Sequence, residues 1–436
     1  MDSVATPVPE GQPPHWNLFT RIAFRFFGVY LLVYNYLESY TNPFDTWLAA
    51  LYNFLRSLTV PYYDWFAVQF LGLQSPIEHP PPNGSGDTAL AYMNVFGLLA
   101  LAAAITVVWS LVDRKRAQYV MLHRWTRLLL RYSLATTLLM YGFAKVLPTQ
   151  FPAPTLARLT ETFGDFSPMG VLWSFMGASQ PYTIFSGLME VIPALLLIYR
   201  PTAVLGALSA AAVMLNVFVL NMSYDVPVKL FSFHLLVTAL FLAAPELNKL
   251  VNLFVLRRPA EPFSPAGPIF TGRGWKIAAV ACQLLFVLYA GSLGYRYYRN
   301  YETQVLAERS PLYGIWDVET FERDGKAIPP DNPGRWKQVM FDNHGYMSFV
   351  GSSGLRGNLR VNYDPSASKI SVIRPNGGEP DVLRYRLEEE GSETNLILEG
   401  SLVGTEYSIR TGPRNATSFR LKTRGFHWIS DAPFNR

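Results

Sequence analysis

Glu190 stands in the middle of the apolar run YTIFSGLMEVIPALLLIYRP at 182–201. An ionisable side chain inside a bilayer is costly and needs a partner or water, which makes each such residue a candidate site. Counting helical rise from Tyr182 puts Glu190 about 12 Å down its run. In a neighbouring run Lys145 lies near one end, with Tyr141 one turn beneath it. Another brings Asn216 and Asn221 toward the turn 223–229, which carries Asp225 and Lys229. His234 sits about one and a half turns into the following run, and Glu38, with Asn35 and Tyr34, closes the first. The separately derived depths of Glu38, Lys145, Glu190, Asn216, Asn221, Asp225, Lys229 and His234 converge in the outer half of a bundle, which predicts one polar cavity. Glu190, Lys145, His234 and Asp225 are its candidate catalytic groups. Asn216, Asn221, Lys229, Tyr141 and Glu38 are its candidate ligand-binding groups.

Simpler roles stand beside these. Lys145 facing Glu190, and Asp225 four residues before Lys229, read equally as neutral ion pairs whose attraction is offset by desolvation. Glu190 alone reads as a protonated, hydrogen-bonded acid joining helices. Both lysines can snorkel to headgroups, and His234 reads as a hydrogen-bonded helix contact. No metal site is expected: Cys282 is the single cysteine, and six scattered histidines leave little material for one. The chain carries no CxxC, haem-pair histidine spacing, Walker loop or dinucleotide fingerprint. The cofactor stays unknown, and redox work would need a bound quinone or a partner bearing the redox group.

The elements that must position these residues follow from the charge distribution. Of the 436 residues 50% are hydrophobic and 16% charged, and the 37 basic and 32 acidic side chains are unevenly spread. Residues 1–300 carry 34 of them, about 11%, and residues 301–436 carry 35, about 26%, the proportion of an ordinary soluble domain. The first segment is too poor in charge to cover a water-soluble body, and its basic excess points to a membrane and not to nucleic acid. Seven runs are long and apolar enough to cross hydrocarbon, at about 18–37, 89–112, 126–147, 182–199, 202–222, 230–247 and 275–295. Lys and Arg collect in alternate connections, which predicts a cytosolic amino terminus, a multi-pass protein of the cell membrane and an extracytoplasmic carboxyl-terminal domain. Arg124, Arg127 and Arg131 form a stripe expected to hold anionic inner-leaflet lipid, with Arg131 deeper than the others. Gly206, Ala207 and Ala210–Ala212 allow close helix approach. Residues 43–57 and 61–73 place aromatic and aliphatic side chains at helical spacing, which suits two helices in the outer interface. The domains expected are a disordered cytosolic tail at 1–15, a helical membrane domain at 16–299 and a β domain at 300–436.

Three stretches of the membrane part, RYSLATTLLMYGFAKVLPTQF at 131–151, the run around Glu190, and LGALSAAAVMLNVFVLNMSYDVPVKLFSFHLLVTALFLAAPELNKL at 205–250, resemble the DoxX-like family of small polytopic membrane proteins. The resemblance covers about 126–250 and is best in YGFAK, GLMEV and YDVPVK. It implies a core of four helices, and one branch of the family is associated with thiosulfate oxidation coupled to quinone. Carried over, it highlights Gly142, Lys145, Gly187, Glu190, Asn216, Asp225, Lys229 and His234. The extra spans and the attached soluble domain depart from the usual member.

After Arg299 the period changes to two. Strand-like runs lie at 313–321, 336–342, 346–351, 355–363, 369–374, 382–389, 395–402, 406–412, 417–423 and 426–430, separated by turn signals such as RDGK and PNGG. The pattern predicts an up-and-down antiparallel barrel of eight to ten strands. LYGIWDVETF resembles the first strand of lipocalin-like barrels, where a Trp plugs one end; Trp316, Trp336 and Trp428 are expected in the core. The fold class is an α-helical polytopic bundle followed by an all-β barrel. The function expected is handling of a membrane lipid or quinone at an outer polar cavity, with no decision on whether the protein is an enzyme. The alternatives are a transporter, or a noncatalytic subunit whose barrel recruits an extracytoplasmic protein partner.

Overall fold

The computed structural model describes residues 16–38, 49–80, 83–259, 272–306, 309–342, 345–374, 377–391, 393–414 and 419–433. The expected tail at 1–15, and Phe44, Trp47 and Leu48 of the expected interfacial helix, lie outside them. Two compact units form, Met1–Phe143 with Ser186–Leu293, and Ala144–Phe185 with Gly294–Arg436.

The first unit is built of helices α1 (Leu18–Val33), α2 (Ala49–Phe70), α3 (Ala89–Val112), most of α4 (Val120–Val146), and, after α5 (Leu156–Leu159) and α6 (Pro168–Ala178) of the second unit, α7 (Gln180–Ile198), α8 (Ala203–Ser223), α9 (Lys229–Ala243), α10 (Leu247–Phe254) and the start of α11 (Arg273–Gln304). Among the described residues five stretches are long and apolar enough to cross a membrane: Ala89–Val112, Gln180–Ile198, Arg200–Ser223, Lys229–Phe254 and Arg273–Thr303. The two other expected spans are also helical. The first is α1 extended by a π-turn at Tyr34–Glu38, and the other is the charged α4. Asn17 and Thr88 start α1 and α3 as N-caps, accepting from Thr20 N at 2.7 Å and Ala91 N at 3.1 Å.

Close packing rests on small residues. A Cβ on Gly142 of α4 would meet Val191 Cγ2 at 2.6 Å and Gly187 O at 3.1 Å, so α4 and α7 cross at a backbone-to-backbone contact. Gly206 lets α8 approach α7 in the same way, with Leu197 N only 2.7 Å from its would-be Cβ. By contrast α11 leaves nearly all of its apolar surface uncovered, as a lipid-facing helix would. The two interfacial helices expected at 43–57 and 61–73 are corrected to one, because α2 runs through Pro61 without a break. Ser57 and Thr59, near the proline, bond back to Phe54 O and Arg56 O, and Tyr62 OH donates to Gly97 O of α3 at 2.9 Å, which anchors the second half.

The second unit is a closed antiparallel barrel joined by the segment 144–185. Strands β1 (Gly314–Arg323), β2 (Lys326–Ala327), β3 (Trp336–Asp342), β4 (Tyr346–Gly351), β5 (Arg356–Asp364), β6 (Lys369–Val372), β7 (Asp381–Glu390), β8 (Glu393–Leu402) and β9 (Thr405–Arg414) pair with sequence neighbours, apart from the two-residue β2, which pairs only with the end of β1, leaving β1 beside β3. Pairing of β1 with β9 closes eight strands into a barrel, with a bulge between Val318 and Thr320. Trp316, Phe321, Trp336, Phe341, Met347, Ile370, Leu383, Leu396, Leu398 and Ile409 are among the side chains that fill its interior. Phe349 stacks on Trp336, at 4.3 Å, and lies against Gly357, its cross-strand partner, where a Cβ would collide with the ring.

Closure corrects two expectations. The described parts of the two last runs, 419–423 and 426–430, are not strands: once β9 pairs with β1 there is no free edge to extend, and the described residues after Arg414 hold one short helix, α12 (Arg420–Thr423). Trp428 is accordingly not a core residue but 88% exposed, whereas Trp316 and Trp336 are buried as expected. Trp316 Nε1 donates to Leu312 O at 2.9 Å.

Candidate functional site

The most developed polar cluster of the helical unit is centred on His234, 3% exposed on α9. Its ring stacks on Tyr34 with centroids 3.7 Å apart and lies beside Tyr30. Nε2 is 2.6 Å from Tyr30 OH, and Nδ1 is 2.6 Å from Leu230 O. A carbonyl can only accept, so in the neutral ring Nδ1 donates to Leu230 and Nε2 accepts the Tyr30 hydroxyl proton. One turn on, Asn35 Nδ2 donates to Leu31 O and to Thr238 Oγ1 at 3.2 Å, while its Oδ1 accepts from Ser133 Oγ of α4 at 3.3 Å. Thr238 in turn donates to His234 O. Three helices are therefore joined by a continuous buried hydrogen-bond path, and the planar Tyr34–His234 pair lies within it.

Glu190 is 2% exposed, on the inward face of α7 with Gly187, Val191, Ala194 and Leu197, the same face that meets Gly142 of α4. Tyr141 lies one residue before Gly142 and packs against Phe231 of α9, with ring centroids 5.9 Å apart. These residues, with His234, belong to one unit. Lys145 belongs to the other; it is buried, with Nζ 6.0 Å from the Phe151 ring, which sits edge-on to Trp173.

The turn 223–229 is held by groups that serve folding. Asp87, in the connection before α3, accepts from the backbone N–H of Lys229 at 2.8 Å and of Leu230 at 2.9 Å, and so caps α9 from a distant part of the chain. Gly86 N donates to Pro227 O at 2.7 Å. Lys229 Nζ pairs with Asp225 at 2.8 Å and lies 3.7 Å from Asp87, while Asp225 itself is exposed and takes a left-handed conformation. Asn221 donates to Ser232 Oγ at 3.0 Å, which ties α8 to α9. Asn216 is exposed on α8, and Glu38 accepts from Asn94 of α3 at 3.2 Å. Of the expected cavity residues, Tyr141, Glu190 and His234 are thus inward-facing in the helical unit. Asp225 and Lys229 form a helix-entry clamp, and Asn216 faces outward.

Four residues that sequence reasoning passed over matter here: Tyr30, Ser133, Thr238 and Asp87. Tyr30, Asn35, Ser133, His234 and Thr238 each occupy the buried stripe of an otherwise apolar helix, and helical spacing can expose such a signal. Nothing local marks Asp87, because its partners lie more than 140 residues away.

In chemical terms, the Tyr30–His234 pair can move a proton between a phenol and an imidazole. Among the described residues no cluster of three or more His, Cys, Asp or Glu side chains has metal-binding geometry. No family model matches the chain, and no solved structure does. Over 124 residues, 28% of this chain, the sequence is 32% identical to the uncharacterized protein YwoB of Bacillus subtilis, and the match covers 79% of that protein.

Proposed function

The chain belongs to the family of the uncharacterized Bacillus subtilis protein YwoB, and from that premise we propose that it handles a lipidic or quinone-type molecule at the polar interior of its helical unit. The observation that carries this reading is the buried Tyr34–His234 stack with the Tyr30 hydroxyl on the imidazole. A flat ring bearing carbonyl oxygens needs an aromatic surface and a hydrogen-bond donor at its edge; binding here would part the Tyr34 and His234 rings and turn the Tyr30 hydroxyl from Nε2 to the ligand. Glu190 supplies a carboxyl on the inward face of α7, and Tyr141 completes the assignment within this unit. The resemblance of YGFAK, GLMEV and YDVPVK to DoxX-like proteins supports the same class of ligand. In this reading the amino terminus is cytosolic and the barrel extracytoplasmic.

The test compares lipid and quinone extracted from full-length protein with that from Glu190→Gln and His234→Gln. Removing one partner of a buried hydrogen bond costs about 1–3 kcal/mol, so bound ligand should fall by at least about fivefold in each variant. Unchanged content in both would sink the proposal.

A second reading, a noncatalytic subunit that docks a protein partner on its barrel, is favoured by the barrel interior being filled with its own side chains. On that reading, neither substitution changes the extracted lipid.

A further inference from the structure

An up-and-down barrel with an even number of strands starts and finishes at the same end, and here Ile315, at the start of β1, pairs with Arg414, at the end of β9. The chain reaches that end from α11, a helix of membrane length whose last turns belong to the barrel's own unit. Leu312, fully buried in the barrel core, follows the end of α11 at Gln304 by eight positions, a reach of at most about 29 Å. The same end receives α5. Phe341 of β3 pairs with Gly314 of β1, and the next residue, Asp342, accepts from Leu156 N at 2.8 Å. From α5 the chain runs on into α7, a second membrane-length helix whose first turn also lies in this unit. The Ile315–Arg414 end is therefore tied to a bilayer surface twice, whereas the β8–β9 turn at Val403 lies at the opposite end.

The chain that follows β9 is pinned at this end and then turns its apolar side chains to solvent. Phe419 packs on the cluster of Leu156, Ile315 and Met340, and α12 begins at the next residue. Beyond Gly425, the side chains of Phe426, Trp428 and Ile429 are each more than three-quarters exposed, with the Phe426 and Trp428 rings 5.9 Å apart. Large apolar groups gathered in water mark a surface that something covers. The charge beside them indicates what: 419–430 carries Arg420, Lys422 and Arg424 and no acidic residue. Aromatic rings next to arginine and lysine are the composition that settles at the headgroup level of a bilayer, with the rings in the interface and the cations on the phosphates.

We propose that residues 419–430 are a membrane-surface anchor: Phe426, Trp428 and Ile429 enter the interface of the leaflet nearest the barrel, and Arg420, Lys422 and Arg424 bind the phosphates of its anionic lipids. Three apolar side chains on a free peptide would bind a bilayer weakly. Here the two existing ties make insertion an intramolecular event, at the high effective concentration that short connections give. The anchor adds a third point of attachment at the Ile315–Arg414 end and so holds that end of the barrel toward lipid.

The experiment uses the full-length chain in nanodiscs of phosphatidylcholine alone or mixed with phosphatidylglycerol. The single cysteine is removed by Cys282→Ser, and a nitroxide is attached at Trp428→Cys or, at the opposite end of the barrel, at Val403→Cys, both exposed positions. Collisions with oxygen, which concentrates in lipid, and with a water-soluble nickel chelate read the depth of each label. In discs containing phosphatidylglycerol, the label at 428 should meet oxygen and be shielded from nickel, and the label at 403 should meet nickel freely. Each basic side chain at an anionic surface is worth about fivefold in binding, so Arg420→Gln, Lys422→Gln and Arg424→Gln together should weaken insertion by about a hundredfold and return position 428 to water. Phe426→Ser with Ile429→Ser should do the same with the charges intact. Nickel access at 428 equal to that at 403 would overturn the proposal. So would shielding of 428 from both reagents, the signature of a segment packed on protein, whether this barrel or a partner. Insertion that is equal in both kinds of disc and indifferent to the three glutamines would overturn the role given to the basic residues.

Discussion

Leu156 offers a sharp test of how the segment 144–185 is held on the barrel. The helix that carries it, α5, has four residues, far below the length at which a helix is stable alone. Its existence must come from what it touches. Leu156 is 1% exposed and packs with the equally buried Ile315 of β1 and Met340 of β3. Asp342 accepts from Leu156 N at 2.8 Å and Ala157 N at 3.5 Å at the start of the helix. Arg356 donates to Ala157 O at 3.0 Å and Thr160 O at 2.7 Å at its end. Both ends of one helical turn are thus satisfied by barrel side chains. Leu156→Ala should cost about 2–5 kcal/mol from lost burial and the cavity left behind, which makes local opening at least about 30-fold more frequent. Asp342→Ala should cost about 0.5–2 kcal/mol as a lost cap. Amide hydrogen exchange of residues 155–161 in the full-length protein reads both. The double variant should exchange faster than Leu156→Ala alone by about the factor that Asp342→Ala produces by itself, because one undocking event breaks both contacts and their costs add in the opening free energy. If Leu156→Ala leaves exchange at 155–161 within about threefold of wild type, the segment is not held by this contact and the reasoning fails.

Glycine positions make a paired prediction. Gly206→Val forces a side chain against the α7 backbone and should lower stability by about 1–3 kcal/mol, whereas Gly291→Ala on α11, with nothing within 4 Å, should be neutral or stabilising by up to about 1 kcal/mol; equal melting temperatures for the two would contradict the packing. In the barrel, the Arg374 guanidinium bonded to Asp381 holds that carboxyl below its ordinary 3.8. The depressed value means the pair contributes fully above pH 4 and is lost as pH falls through the lowered pKa. Asp381→Asn should therefore be less stable than wild type near neutrality, modestly because Arg374 is half exposed, and the gap should close near pH 2; a gap constant with pH would refute the ionic account. Lys326 and Lys369 are exposed on the barrel. A membrane-impermeant amine reagent should label them in intact spheroplasts, and labelling only after lysis would reverse the proposed orientation.

Local pattern made much of the fold legible. The apolar runs at 89–112 and 202–222 became α3 and α8, because a long uncharged run can satisfy its backbone in lipid only as a helix. Twofold alternation from Tyr313 to Gly412 became the barrel strands, because a strand with one face in a core must alternate. The two final runs looked like strands for the same reason and are not, since pairing of β1 with β9 had already consumed the edge they needed. Glu190 and His234 could be singled out as buried because charge or a polar ring within an apolar run is rare. Their actual neighbours could not be read in this way.

The sequence by itself determined that this is a chain of apolar helices followed by a charge-rich β domain, because composition and periodicity are properties of short segments. Tertiary structure alone decided that Asp87 caps α9, that Asn35 joins Ser133 to Thr238, and that Asp342 and Arg356 hold one turn of helix on the barrel. Each of these links residues that are about 100 or more positions apart, and such a pairing depends on how packed elements bring their ends together, which no local pattern encodes.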